Sequence, residues 1–429
     1  MCRVSPLGRS RLLWAAWGGV LLLALRMVPF AVDAATRPSY GFVAYYTAAR
    51  LLDEGAGVRN FYDDVWFNAR VETYTPGIRD IYRPNPPTTA WFVLPLAGLD
   101  YGRARAAWSL VNLVALAAAV AWLLGQAALR GVWAPAFVAL VLLYHPLRAN
   151  LAQGQAYALL LGLLVLAWHG YRRRREAVVG LALGTMLAFK LAAPLVWVLL
   201  AVQRRWQALA WGAATALGAV LLSLPWVGAD AWPAYLSLLT RLSDRPELAV
   251  TAYQSQFGLI HHLLAPDARW NPGAPFDAPA LADWLTWLSA GLLIGVSAYR
   301  AHRAGTSDLI FGAFVILGIV VSPLSLAYHY VLLLLPAALL MAWAQGSGHT
   351  WATLILVAAL AAVAADLPYR SPRLAGGIWS LLAYPKLYGA WALWGLALWA
   401  TSAAEAERTA PLSGAHHEHL SGVRGPARR

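Results

Sequence analysis

The chain has 429 residues, of which 60% are hydrophobic and only 12% charged. That balance excludes an ordinary water-soluble domain and makes the bilayer the natural solvent. The formal charge of +13 comes almost entirely from arginines in short clusters between apolar runs, the positive-inside pattern of cytoplasmic loops rather than the basic face of a nucleic-acid binder.

Cys2 is the one cysteine, which rules out an intramolecular disulfide or a cysteine-based zinc site. Apolar runs recur almost end to end and lack the alternation of barrel strands. Backbone groups in lipid must be satisfied internally, so the expected class is all-α: a polytopic integral membrane protein with about twelve transmembrane helices. One membrane domain is expected over residues 1–402, and a polar, Gly/Pro-bearing tail over 403–429, disordered on the cytoplasmic side.

In chain order, the first span covers 11–32, with its amino terminus inside. Val32-Asp33-Ala34 loosely resembles a signal-peptide cleavage site. The run is long for such a peptide and more spans follow, so a retained anchor is expected. A polar loop, 33–84, then carries aromatics and seven acids. Within it Phe42, Tyr45, Tyr46, Ala49 and Leu52 recur at three- and four-residue spacing, with Thr47, Arg50, Asp53 and Glu54 opposite. This predicts an amphipathic helix in the interface plane, either an aromatic-belt anchor or a lid over a lipid substrate.

NPPTTAWFVLPLAGL, 85–99, is short for a crossing and bracketed by Pro86, Pro87 and Pro95, so it reads as re-entrant. Further apolar segments lie at 104–125, 131–145, 154–170, 177–189, 192–203, 207–223, 282–299, 306–322, 326–344, 350–366 and 386–402. With 85–99 re-entrant, Arg130, the Arg172 to Arg175 cluster, Arg204/Arg205 and Arg300/Arg303 all fall inside. The outward loops are then 33–103 and 224–281, with smaller turns at 146–153, 322–326 and 367–385.

Polar residues collect on that outward side. Lys190, between two apolar segments and followed by Pro194, is a functional candidate by its placement, the alternative being snorkelling to the nearer interface. Gln153 and Gln155 stand at a helix start, where donors can face an anion. Gln254 and Ser255 lie in the second large loop, and Tyr328 and His329 at the outer end of a helix. Such a histidine is commonly only an interfacial residue. The His416-His417-Glu418-His419 run has metal-binding residue types but no fixed frame, and no metal site is expected. Cations and amides of this kind suit a lipid-borne phosphate, with a carboxylate in the first loop to take a proton from an acceptor hydroxyl.

The order of these pieces resembles glycosyltransferase family 87, the polyprenyl-phosphate-mannose-dependent mannosyltransferases of the C-type superfamily. The resemblance rests on FVAYYTAARLL, FYD at 61–63, YRPNPP at 82–87 followed by LPLAGL, HPLRANLAQGQ at 145–155, FKLAAP, YQSQFG and SPLSLAYHY, running from about residue 40 to 336. It implies an inverting hexosyltransferase without a cofactor, in a bacterial inner membrane with its site facing outward. The donor would be a polyprenyl-phosphate sugar, with mannose foremost, and the acceptor a glycan or glycolipid. Membrane lipids would surround it, with no nucleic acid involved.

The family's aspartate directly precedes the aromatic helix, where this chain has Gly41-Phe42. The base is then Asp33, Asp63 or Asp64, or the chemistry is lost. His329 joins these as a catalytic candidate, steadying the leaving phosphate. Lys190, Gln153, Gln155, Gln254, Ser255, Tyr45 and Arg83 are the substrate-binding candidates. Tyr157 stands where the family often has asparagine. The rival readings are a non-catalytic lipid-linked-sugar binder or partner subunit, and a lipid or sugar transporter. Lys190 leans toward the transporter and the long first loop away from it.

Overall fold

The structure is a computed structural model that describes residues 6–241 and 245–409; the histidine-rich run and most of the polar tail lie outside the described residues. Eighteen α-helices and no strand ladder are present among the described residues. The first anchor is α1 (Pro6–Thr36). The loop after it folds into α2 (Phe42–Asp53), α3 (Asp64–Tyr74) and α4 (Thr88–Val93). Then come α5 (Tyr101–Gln126), α6 (Trp133–Leu143), α7 (His145–Gln153), α8 (Tyr157–Arg172), α9 (Glu176–Phe189), α10 (Leu195–Val202) and α11 (Trp206–Val227). The second large loop holds α12 (Ala231–Thr240) and α13 (Gln256–Leu264). The chain closes with α14 (Pro279–Ala304), α15 (Asp308–Val320), α16 (Leu334–Ser347), α17 (Thr350–Ala364) and α18 (Pro385–Thr409).

Every apolar segment read from the sequence is thus helical, and the protein is an all-α integral membrane protein. By length and composition alone, five helices can cross a membrane: α1, α5, α11, α14 and the 327–347 stretch ending in α16. The α6–α7 pair, bent by 44°, is a sixth if it forms one broken span. Helices α9, α15 and α17 are apolar but shorter, so length and composition do not reach the expected count of about twelve. Residues 85–99 form a six-residue helix and a 3-10 turn, too short to cross.

Burial sorts the helices by environment. From Ile310 to Val320, α15 is buried on all sides and forms the bundle centre. By contrast α1 and α14 expose Leu21, Leu22, Leu25, Trp284, Trp287 and Leu292. Apolar surface on that scale is the mark of a lipid-facing wall.

The loops segregate to two ends. At one end Arg172 bonds the Gln126 carbonyl, Arg174 the Thr306 hydroxyl, Gln203 the Ala301 carbonyl, and Gln345 accepts from the Arg130 N–H. The predicted inner arginines therefore sit together. At the other end the first loop, the α7–α8 turn, the α9–α10 break, the second large loop and the turns near 325 and 383 are joined by Ser39–Gln153, Thr89–Phe189, Gln254–Ser325 and Gln254–Ala383 bonds.

One expectation changes in detail. Ten of the twelve residues of α2 are buried, Thr47 of the predicted polar face among them, while Asp53 and Glu54 at its end stay exposed and Arg50 is half-buried. It packs against α3, α4, α5 and the turn after α4, so the first loop covers more of it than the apolar stripe alone.

Candidate active site

The site grows from the break between α9 and α10. Helix α9 ends at Phe189, and Lys190 leaves it with extended backbone, φ −162° and ψ 139°. Pro194 cannot donate a backbone hydrogen bond and opens α10. The last carbonyls of a helix lack intrahelical partners. Here the Thr88 hydroxyl donates to the Ala188 carbonyl, and the Thr89 hydroxyl to the Phe189 carbonyl at 2.5 Å. The two threonines of α4 thus finish α9 and hold the chain where Lys190 turns inward.

A second support positions Gln155. Helix α7 ends at Gly154, in the left-handed conformation at φ 65°. A Cβ there would lie 2.6 Å from the Phe42 Cβ and 2.5 Å from the Arg105 guanidinium, so only glycine fits. Arg105, 1% exposed, donates to the Leu151 carbonyl at 2.7 Å and lies 5.3 Å over the Phe42 ring. A guanidinium on the final carbonyls of α7 also favours the negative end of the helix dipole. The Trp108 indole donates to the Gly154 carbonyl at 2.8 Å. Clamped in this way, the turn aims Gln155 at Lys190.

The result is a buried triangle. Lys190 Nζ donates to the Tyr45 hydroxyl and to Gln155 Oε1, each at 2.9 Å, and the Tyr45 hydroxyl donates to the same Oε1 at 3.1 Å. The ammonium also faces the Tyr45 and Tyr157 rings at 5.4 and 5.1 Å, a cation–π arrangement. His329 packs on Tyr157 at 4.5 Å, and its Nδ1 accepts from the Leu326 N–H at 3.0 Å. Nδ1 also lies 3.2 Å from the Leu326 carbonyl oxygen, so the Leu326 backbone fixes the ring's orientation through Nδ1. Tyr45, Gln155, Lys190 and His329 are therefore brought together, with Tyr157 as the ring that links them.

The other sequence candidates do not join the triangle. Asp33 pairs with Arg37 at 2.5 Å on the exposed end of α1. Asp63 caps α3 by accepting from the Val65 and Trp66 N–H groups. Asp64 pairs with Arg83 at 2.6 Å. Gln254 is fully buried and donates to the Thr251 and Ala383 carbonyls, while Ser255 caps α13. Gln254 thus latches the second loop to the turn near 383, whereas Ser255 serves the helix that it caps. Gln153 accepts from the Ser39 hydroxyl through its backbone carbonyl at 3.3 Å.

Beside the triangle lies an open cleft of about 1050 Å³, lined in part by Tyr40, Asp64, Asn68, Glu72, Arg79 and Asp80. Asp80 is the residue that sequence reasoning missed. It is one of seven acids in the first loop, with no motif around it. Its Oδ2 accepts from the Gly41 N–H, its Oδ1 from the Ile81 N–H at 2.8 Å, and its own N–H donates to Asn68 at 3.0 Å. Burial pushes the carboxyl up to about 6, against the opposing pull of the Gly41 and Ile81 N–H groups and of Lys190.

A helical membrane bundle that holds a buried ammonium, amide and phenol beside an open polar cleft has the layout of a membrane enzyme or carrier for an anionic lipid-borne substrate. The model of glycosyltransferase family 87 matches residues 84–327, more than half of the chain, and the protein belongs to that family. The matched stretch holds Gln153, Gln155, Lys190, Gln254 and Ser255, whereas Gly41 and Asp80 precede it. The chain is also similar to a polyprenol-phosphate-mannose-dependent alpha-(1-2)-phosphatidylinositol pentamannoside mannosyltransferase of Mycobacterium tuberculosis. The identity is 29% over 252 residues, covering 57% of this chain and 55% of that protein. The chain thus matches about half the length of this curated relative. No solved structure matches.

Proposed function

We propose that the protein is a membrane glycosyltransferase that moves a hexose, foremost mannose, from a polyprenyl-phosphate sugar to a hydroxyl of a glycan or glycolipid. The site then faces outward across a bacterial inner membrane, and residues 1–402 act as one catalytic domain. The observation that carries this reading is the Lys190 triangle in a family 87 chain. Among the described residues the hydrogen-bond partners of Lys190 are neutral, and a buried cation of this kind is suited to an anion. A polyprenyl monophosphate provides one when the sugar departs. Tyr45 and Gln155 hold the ammonium in place, and His329, packed on Tyr157, is the further group to steady the leaving phosphate.

A non-catalytic binder is the second reading, and Gly41 is the observation that favours it. Both readings predict donor binding; only the first predicts transfer. The test is sugar transfer in vesicles that contain the full chain, with labelled polyprenyl-phosphate mannose, glucose and arabinose supplied separately. Protein-dependent transfer from one carrier is expected, and Lys190→Met should lower it about 100-fold or more. Binding of the carriers with no turnover of any would favour the second reading.

A further inference from the structure

We propose that Asp80 is the general base of the transfer, the carboxylate that takes the proton from the acceptor hydroxyl. The assignment rests on the glycosyltransferase reading above and follows from what surrounds Asp80. It stands at the join between the open cleft and the Lys190 triangle. Arg79 and Ile81, its chain neighbours, also line the cleft. Gly41, whose N–H its carboxylate accepts, lies against the Gln155 side chain that bonds Lys190. A hydroxyl in the cleft would therefore come within reach of Asp80 while a phosphate rests on Lys190, and a displacement needs base and leaving group held at once.

Gly41 explains why the carboxylate arrives from Asp80. At φ +88°, a Cβ on Gly41 would lie 2.8 Å from the Gln153 carbonyl oxygen and 2.4 Å from Gln155 Nε2. The space a side chain at position 41 would use is filled by the turn that aims Gln155 at Lys190. What Gly41 offers instead is its N–H, and Asp80 accepts it. Asn68 of α3 fixes the Asp80 backbone. The carboxylate is thus oriented from three segments of the first loop.

Glu72 and Asp64 are the rival acids of the cleft. Exposed Glu72 accepts from the Gly77 N–H at 3.0 Å. Asp64 is held by Arg83 at 2.6 Å through Oδ2 but keeps a buried Oδ1 without a partner among the described residues, so it is the rival that Asp64→Asn must test. In the step, the acceptor O–H bond breaks and its oxygen bonds the anomeric carbon. The bond from that carbon to the phosphate oxygen breaks at the same time. The proton ends on Asp80, and the electron pair leaves with the polyprenyl phosphate beside Lys190. The upward displacement of the Asp80 carboxyl supports a group able to accept a proton near neutrality.

The test uses the full chain in proteoliposomes, with labelled polyprenyl-phosphate mannose as donor, and octyl α-mannoside and phosphatidylinositol mannosides as acceptor probes. Asp80→Asn retains an oxygen for the Gly41 N–H and gives up only the bond to the adjacent Ile81 N–H, so donor affinity should persist within about threefold, while kcat falls about 10²- to 10⁴-fold. Formate should restore part of the turnover of Asp80→Ala, which a purely structural role would not allow. Asp53→Asn, at an exposed acid of the first loop outside the cleft lining, should turn over normally. Wild-type kcat in Asp80→Asn overturns the assignment. So does loss of donor binding equal to the loss of turnover, or a loss confined to Asp64→Asn. A wild type inactive with every carrier and both acceptors overturns the transferase reading itself.

Discussion

At the residue scale the decisive pair is Gly41 and Asp80. Restoring an acid next to the aromatic helix should not improve the protein. Gly41→Asp places a Cβ in a left-handed backbone conformation against the Gln153 carbonyl and the Gln155 side chain. The strain is about 1–3 kcal/mol, and the displaced amide no longer faces Lys190. A lower unfolding temperature and weaker donor binding are expected by thermal scan and lipid-binding titration.

The pH behaviour of Asp80 can be signed. Its carboxyl is raised to about 6, and the charged or titratable groups that reach it are Lys190, Tyr45, Tyr101 and Tyr328. A raised carboxyl means that ionisation opposes folding. Its contribution to stability is therefore complete below the unfolded carboxylate value of about 4 and is lost as pH rises through about 6. Activity runs the other way, because the base must be ionised. Transfer should fall as pH drops below about 6, with this acidic limb missing from the residual rate of Asp80→Asn. A pH–rate profile of the two proteins checks the sign for activity, and their unfolding temperatures across the same pH range check the sign for stability.

At the element scale, short helices of the first loop hold the broken ends of membrane helices. The α4 threonines bond the last carbonyls of α9. Replacing Thr88 and Thr89 together by valine keeps the shape but leaves two buried acceptors without those donors, at about 1–3 kcal/mol each. Lower thermal stability is expected together with loss of donor affinity, because Lys190 follows directly on Phe189. If the double variant bound donor normally, α4 would not be what positions the lysine. The proline-threonine run was legible as a short non-crossing segment. Its role as the stop of a helix 100 residues further on was not, because hydroxyl-to-carbonyl pairing over that separation leaves no periodic trace.

At the scale of the whole molecule, the arginine-rich turns and the site occupy opposite ends of the bundle. With the proposed outward site, single-cysteine variants in a Cys2→Ser background should label from one side only. Arg173→Cys is expected to react from the cytoplasm, and Arg269→Cys from outside. Both sites lie in loops, away from the Lys190 triangle. Labelling of both from the same side would contradict the orientation.

The sequence by itself determined the solvent, the helical class and the family, because each depends on composition, on run length or on short motifs in order. It also singled out Lys190, Gln155, Tyr45 and His329, each in a motif of its own. Tertiary structure alone decided that these four meet, that Gln254, Ser255 and Asp63 are committed to latches and caps, and that α2 is buried except at its charged end. It also brought out Asp80. An acid in a loop is one of many until the fold shows which one loses water, gains the N–H of Gly41 and comes within the field of a buried ammonium. Those are properties of distance and dielectric, and a linear sequence does not carry them.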